Sequence, residues 1–476
     1  MTKPVIRACS NVSRRWFLHS AGAGVLIANG LPSRYTLAAE PSGKPNIVFI
    51  LADDLGYADL SCYGRRDFQT PNLDNLAQDG LLLTDAYANS AVCSPTRFAL
   101  LAGRYQYRFE SGLPEPINSA EHGFPADQPT IASLLRDAGY GTALVGKWHL
   151  GLLPKFGPLK SGYDRFYGLY TSHADYFTHE DAVPPTGEPD LFEGELPVHA
   201  AGYLTDLLGD RAVEEINGFT QTGQPFFLSL HFNAPHWPWE SSDASGKQAS
   251  DGLTSMMHFD GGNAKTYANM VRSLDANVGR VLYALDRNGL RDNTIVVFTS
   301  DNGGERFSDT WPFSGMKSEL LEGGIRVPTL VRWPARIAAG SRSAQQLMSM
   351  DWLPTLLAAA NVSTDVPLDG VDVLPALLGE QPLIARKLFW RYHAQDQAAM
   401  RDGQWKYLRI SNQEFLFDVV ADPLERGNLK DHEATVFERL KREYTAWDDS
   451  MLRYPKNQQS HTLSGGGRIA ERSFAD

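Results

Sequence analysis

Four continuous apolar runs of strand length, each ending in residues that carry chemistry, constrain this chain more than any other feature. Residues 46–52 run into Asp53-Asp54, residues 141–146 into Lys147-Trp148-His149, residues 224–232 into Asn233-Ala234-Pro235-His236, and residues 293–299 into Ser300-Asp301-Asn302. A run without polar alternation suits a strand buried on both faces, the condition of a parallel sheet covered by helices. Open sheets of that kind bind ligands outside the carboxyl ends of their strands. The four polar endings are therefore expected to converge although they are far apart in sequence.

The segments between these runs read as covering helices. Pro71 opens one that stops at Gly80, and Gln128-Pro129-Thr130 opens another with Ile131, Leu134, Leu135 and Ala138 on one face. Tyr267, Met270, Val271, Leu274, Val278, Val281, Leu282 and Leu285 recur at three and four, which predicts a long amphipathic helix whose apolar stripe is core. From about Leu383 the pattern changes to short alternating segments, 404–408 and 414–418, that predict a small antiparallel sheet. Residues 433–452 predict a helix on that sheet, and the tail after Pro455 is expected to be mobile. The fold class is thus α/β: a large mostly parallel sheet flanked by helices over 40–382, and a smaller C-terminal subdomain of antiparallel sheet and helix over 383–476. A chain of 476 residues, 42% hydrophobic, can bury such a core.

Residues 1–39 contain five bases and no acid, so their removal takes the net charge from −12 to −17. Ser13-Arg14-Arg15-Trp16-Phe17-Leu18, a weakly apolar stretch from Ala21 to Leu31 and Leu37-Ala38-Ala39 resemble a twin-arginine export signal cleaved near Ala39. The expectation is a bacterial protein delivered to the periplasm or beyond by the twin-arginine export machinery. No later segment has the apolar length of a membrane span. An acidic mature chain without a basic footprint excludes a nucleic-acid role.

Sorted by chemistry, Asp53, Asp54, Asp301 and Asn302 offer hard oxygen ligands that suit Ca²⁺ or Mg²⁺ better than zinc. Arg97, Lys147 and Lys317 offer cationic donors to a tetrahedral oxyanion. His149 and His236 can carry protons near neutral pH. Residues 153–200 read as long loops over the sheet, where His173, Asp175, Tyr176 and His179 stand close together. That grouping reads either as hydrogen-bonding residues for a ligand or as structural. Trp237 and Trp239 either stack on a ligand's sugar faces or pack their own loop.

Cys93-Ser94-Pro95-Thr96-Arg97 reads as a helix entrance, which places Cys93 where backbone N–H groups favour an anion. Cys-x-Pro-x-Arg followed by Leu101-Ala102-Gly103-Arg104 resembles the signature of the type I sulfatases, within the alkaline phosphatase superfamily. The resemblance implies that a maturation enzyme converts Cys93 to formylglycine. It implies that Asp53, Asp54, Asp301 and Asn302, with residue 93, hold one divalent ion, usually calcium. It implies further that Lys147 and Lys317 grip sulfate, that His149 works on the formylglycine hydrate, that His236 faces the leaving group, and that Arg97 steadies the hydrate and the metal ligands. The implied substrate is a sulfate monoester of a saccharide or small molecule, with Trp237 and the loop from His173 to His179 around the leaving group.

Three alternatives stay open on sequence. A phosphonate monoester or phosphodiester hydrolase of the same superfamily carries a similar string. A sulfated-glycan binding protein needs the same pocket with Cys93 unconverted. A disulfide between Cys62 and Cys93 would silence the proposed nucleophile.

Overall fold

The four apolar runs stand side by side. The computed structural model describes residues 43–117, 119–182, 185–243, 262–458 and 460. The export segment, most of the polar loop 241–252 and the tail beyond residue 460 lie outside the described residues. Among the described residues, ten strands form one sheet, and four neighbours at its centre are Thr294–Ser300, Asn46–Ala52, Phe226–His231 and Gly141–Lys147, all parallel. Leu51 sits opposite both His231 and Thr299, and His231 opposite Gly146, so the four carboxyl ends are level.

Alternation along the central strand shows why these runs are apolar throughout. Val48, Ile50 and Ala52 face one core, against helices Pro71–Gln78, Leu204–Thr222 and Ala264–Arg287. Ile47, Phe49 and Leu51 face the other, against helices Cys93–Ala102, Ile131–Asp137 and Trp352–Ala359. A strand covered on both sides has no solvent face to fill with polar residues. Thr130 caps the second of these helix starts by accepting the Ser133 N–H at 2.9 Å.

The sheet is mixed: its central strands are parallel, antiparallel pairs flank them, and the edge strand Ser341–Ser343 pairs parallel with Leu81–Leu83. Thr329–Arg332 pairs antiparallel with Thr294–Ser300, and Leu191–Glu193 antiparallel with Arg165–Leu169. These outer strands are only three to five residues long, too short to show a period in sequence. Residues 153–200 likewise hold short strands between their loops, and Leu204–Thr222 is a helix that the sequence reading left unassigned.

Lys387–Tyr392, Gln397–Asp402, Trp405–Ile410 and Gln413–Asp418 form the small antiparallel sheet, with helix Ala434–Asp449 packed on it through Phe437, Leu440 and Tyr444. Its other face shares a core with the large sheet's loops: Trp390 packs on Tyr87 at 5.3 Å and donates its indole N–H to Ala88. Buried charges join the same boundary, with Lys406 between Glu322 at 3.0 Å and Glu425 at 2.8 Å, and Arg401 on Asp85 at 2.8 Å. Cys62 and Cys93 are both free, and the Cys62 backbone N–H donates to Asp74. No helix among the described residues is long and apolar enough to cross a membrane.

Candidate active site

The polar endings meet because level parallel strands deliver them to one edge. Asp53 and Asp54 follow the central strand, Asp301 and Asn302 its neighbour, and Lys147 closes a third strand. Cys93 comes from outside the sheet, as the first residue of helix Cys93–Ala102. Its Sγ lies 3.2 Å from Asp53 Oδ1 and 3.9 Å from Asp54 Oδ1. Asp54 and His149 both take positive φ, 60° and 56°, a conformation that costs a residue with a Cβ and is kept where its surroundings impose it.

Charges are paired across the site. Lys147 Nζ donates to Asp53, Lys317 Nζ donates to Asp54 Oδ2 at 2.6 Å, and Arg97 reaches Asp301 through Nε at 2.9 Å and Nη2 at 2.8 Å. Arg97 also donates Nη1 to the Lys147 carbonyl at 3.1 Å, which ties the helix to the strand end. All six of these side chains are buried. Burial alone would lower Lys317, but Asp54, Cys93 and Glu305 outweigh it and hold the ammonium well above its usual range. Burial, with repulsion from Asp53, raises Asp301.

Burial, together with Asp301 and Asp53, pushes the Cys93 thiol well up. Unmodified, this residue stays a neutral thiol and a poor nucleophile. The two histidines are both shifted the other way from the thiol. Burial first, then Lys147 and Arg97, lowers His149; burial first, then Lys317 and Lys147, lowers His236. Both are neutral at rest. Among the described residues, His149 has no hydrogen-bond partner on either ring nitrogen. His236 Nδ1 is 2.5 Å from the Trp237 carbonyl, which can only accept, so Nδ1 carries the proton and Nε2, 3.6 Å from Asp54, is bare.

The donor set fits a hard cation. Ligand atoms of Asp53, Asp54, Cys93 and His236 lie within 4.8 Å of one another. Asn302 donates to Asp54 at 2.7 Å, and its buried Oδ1 has no hydrogen-bond partner among the described residues. Asp301 Oδ1 accepts the Asp54 N–H at 3.3 Å, so it belongs to the same cluster. An unsatisfied carboxamide oxygen beside three carboxylates is the chemistry of a Ca²⁺ or Mg²⁺ site.

Two residues were missed on sequence. Glu305 lies 3.9 Å from Lys317 and is pushed up to about 7, chiefly by burial, with Lys317 opposing and Asp54 reinforcing. It stands three residues beyond Asn302 on the same strand-end loop, a position that could have flagged it. His231, the last residue of its strand, lies 3.5 Å from Arg97 and 3.2 Å from the Lys147 carbonyl.

The expected leaving-group residues divide into two pairs. His173 stacks on Trp237, centroids 5.1 Å apart, and Trp237 lies 5.1 Å from His236. Asp175 accepts the backbone N–H groups of Phe177 and Thr178, each at 2.8 Å, and His179 Nε2 lies 3.1 Å from the Gly202 carbonyl. Those bonds shape the loop. Trp239 is buried against Phe307 at 4.7 Å rather than presented as an open platform.

Residues 45–362 match the Sulfatase family, and residues 316–448 match the family described as N-sulphoglucosamine sulphohydrolase, C-terminal. The chain is 34% identical to N-acetylgalactosamine-6-sulfatase of Rattus norvegicus over 409 residues, covering 80% of this chain and 74% of the relative. It is 33% identical to arylsulfatase A of Homo sapiens, covering 80% and 77%. The crystal structure of Ps i-CgsB in complex with k-i-k-neocarrahexaose superposes with a TM-score of 0.78 at 32% identity, covering 90% of this chain and 98% of that one.

Proposed function

The chain belongs to the sulfatase family and is a sulfuric ester hydrolase, and on that premise we propose that it is an exported enzyme cleaving sulfate monoesters of carbohydrates, with formylglycine at position 93 and one divalent cation. The observation that carries this reading is the convergence of Asp53, Asp54, Cys93, Lys147, His236 and Lys317 in one buried cluster. Relatives named N-acetylgalactosamine-6-sulfatase and a structural neighbour in complex with a neocarrahexaose support a saccharide substrate. The twin-arginine string at Arg14-Arg15 supports export.

Formylglycine, once made from Cys93 by a maturation enzyme, would supply a hydrated aldehyde as nucleophile in place of the inert thiol. Asp53, Asp54, Asp301 and Asn302, with residue 93, would hold Ca²⁺ or Mg²⁺, which would supply positive charge at the ester oxygens. The remaining chemistry belongs to side chains. Lys147 and Lys317 donate to sulfate oxygens, and each already donates to a carboxylate at the site. Arg97 fixes Asp301 and the Lys147 carbonyl, so the ligand side chains keep their places when substrate enters.

His236 and His149 share the proton traffic. An arriving sulfate ester adds negative charge beside Nε2 of His236 and raises its proton affinity, so this nitrogen takes up a proton from solvent and delivers it to the departing alcohol oxygen. His149, neutral and without a partner on either nitrogen, accepts the proton that residue 93 must lose.

The test is sulfate release from positionally defined sulfated sugars and an aryl sulfate, using protein whose residue-93 mass shows formylglycine. Release from a sugar establishes reaction and substrate class together. No release despite conversion and added calcium, with turnover of matched phosphonate monoesters, would replace this reading with the phosphonate one. Retention of an Arg14→Lys, Arg15→Lys double variant in the cytoplasm tests the export route.

A further inference from the structure

Nothing in the chemistry above uses His173, yet it stands beside the catalytic histidines and is held in place from two sides. Its ring lies 18° from parallel with the Trp237 indole. Its Nδ1 is 2.9 Å from Asp181 Oδ1, and the Ala182 N–H donates to the His173 carbonyl at 2.9 Å, which locks the two segments together. Trp237 is only 5% exposed, whereas the side chains of His173 and Asp181 keep 13% and 23%. With Nδ1 on the carboxylate and one face on the indole, the imidazole has Nε2 and the opposite face left for a ligand among the described residues.

We infer that His173 is a specificity-determining residue whose Nε2 hydrogen-bonds a hydroxyl of the departing saccharide, while Trp237 and Asp181 hold its ring in place. This rests on the sulfate-ester reading above and gives the leaving group a chemistry: a polyhydroxylated ring rather than a flat aryl group. A site that pairs with a substrate hydroxyl rejects an analogue lacking it, because its polar atom is then left unmatched. Asp181 is a positioning residue, since its carboxylate selects the Nδ1–H tautomer and so sets which role Nε2 plays.

The experiment compares kcat and KM of formylglycine-bearing wild type, His173→Ala, His173→Gln and Asp181→Asn. Its substrates are 4-nitrophenyl sulfate and the best-cleaved member of a set of 2-, 3-, 4- and 6-sulfated galactose and N-acetylgalactosamine. His173→Ala is expected to shift the ratio of aryl to sugar kcat/KM at least tenfold toward the aryl ester, mainly through the sugar's KM. Asp181→Asn should move it the same way by less, and His173→Gln, which restores a polar terminus, should recover part of it. An equal loss on both esters overturns the inference, as does an unchanged ratio or a wild type that cleaves the aryl ester and none of the sugars. A wild type that cleaves neither overturns the sulfate-ester reading itself.

Discussion

Asn302 donates its Nδ2 to Asp54 at 2.7 Å and keeps its own buried Oδ1 without a hydrogen-bond partner. A buried carboxamide oxygen left unmatched among carboxylates is stabilised by a cation. Calcium is therefore expected to raise the melting temperature of the protein, since a ligand at about 100 times its Kd adds roughly 2.7 kcal/mol. Asn302→Leu, similar in size and without the oxygen, should weaken calcium binding about tenfold or more, read by calorimetric titration. Equal affinity in the variant would remove Asn302 from the ligand set.

Lys406 holds two acids at the boundary between the sheets, Glu322 at 3.0 Å and Glu425 at 2.8 Å, and is 0% exposed. Replacing one member of a buried ion group leaves its partners charged and unpaired, at a cost of about 3–5 kcal/mol. Arg326, 3.1 Å from Glu322, retains part of the compensation, so Lys406→Met is expected near the lower end. Urea denaturation measures it, and a loss below about 1 kcal/mol would mean that the two carboxyls take up protons instead.

Glu115 sets a pH dependence of stability away from the candidate active site. Burial pushes its carboxyl up to about 7, against bonds from Ser460, Tyr454 and the His393 N–H that would lower it. The folded protein then binds more protons than the unfolded chain between the ordinary value of 4.5 and about 7. Stability from this group is present below that window and falls as pH rises through it. Glu115→Gln, which mimics the protonated acid, should flatten the decline. Melting temperatures of both proteins at pH 5 and pH 7.5 check this, and parallel declines would contradict it.

The convergence of the polar strand ends was legible in sequence for one physical reason. Asp53, Lys147 and Asp301 each follow or close a strand buried on both faces, and such strands announce themselves as unbroken apolar runs. The helix start at Cys93 was marked by Pro95 and a long apolar continuation. Nothing comparable marks the pairing of His173 with Asp181, because that contact depends on a hairpin whose strands are three and five residues long. The antiparallel flanks of the large sheet escaped for the same reason. Glu305 was missed because one acid in a glycine-rich loop reads as a solvated turn until burial beside Lys317 is seen.

His149 offers the sharpest separation of the two halves of the reaction. It sits two residues beyond the strand that ends in Lys147, at a φ of 56°, with neither ring nitrogen hydrogen-bonded. Lys147, Arg97 and burial keep it neutral, so it is equipped to accept a proton and not to grip an anion. Removing such a base costs about 10²–10⁴ in rate when proton removal limits turnover. His149→Ala should therefore lower kcat by at least about a hundredfold on that scale, and KM should fall with it if the lost step follows departure of the alcohol, because the covalent ester then accumulates. If its task follows departure of the alcohol, the variant should release about one equivalent of alcohol per active site quickly and sulfate slowly, which rapid-quench measurement on an aryl sulfate resolves. Equal slowing of alcohol and sulfate in the first turnover would place His149 before bond cleavage and leave His236 without its assigned partner.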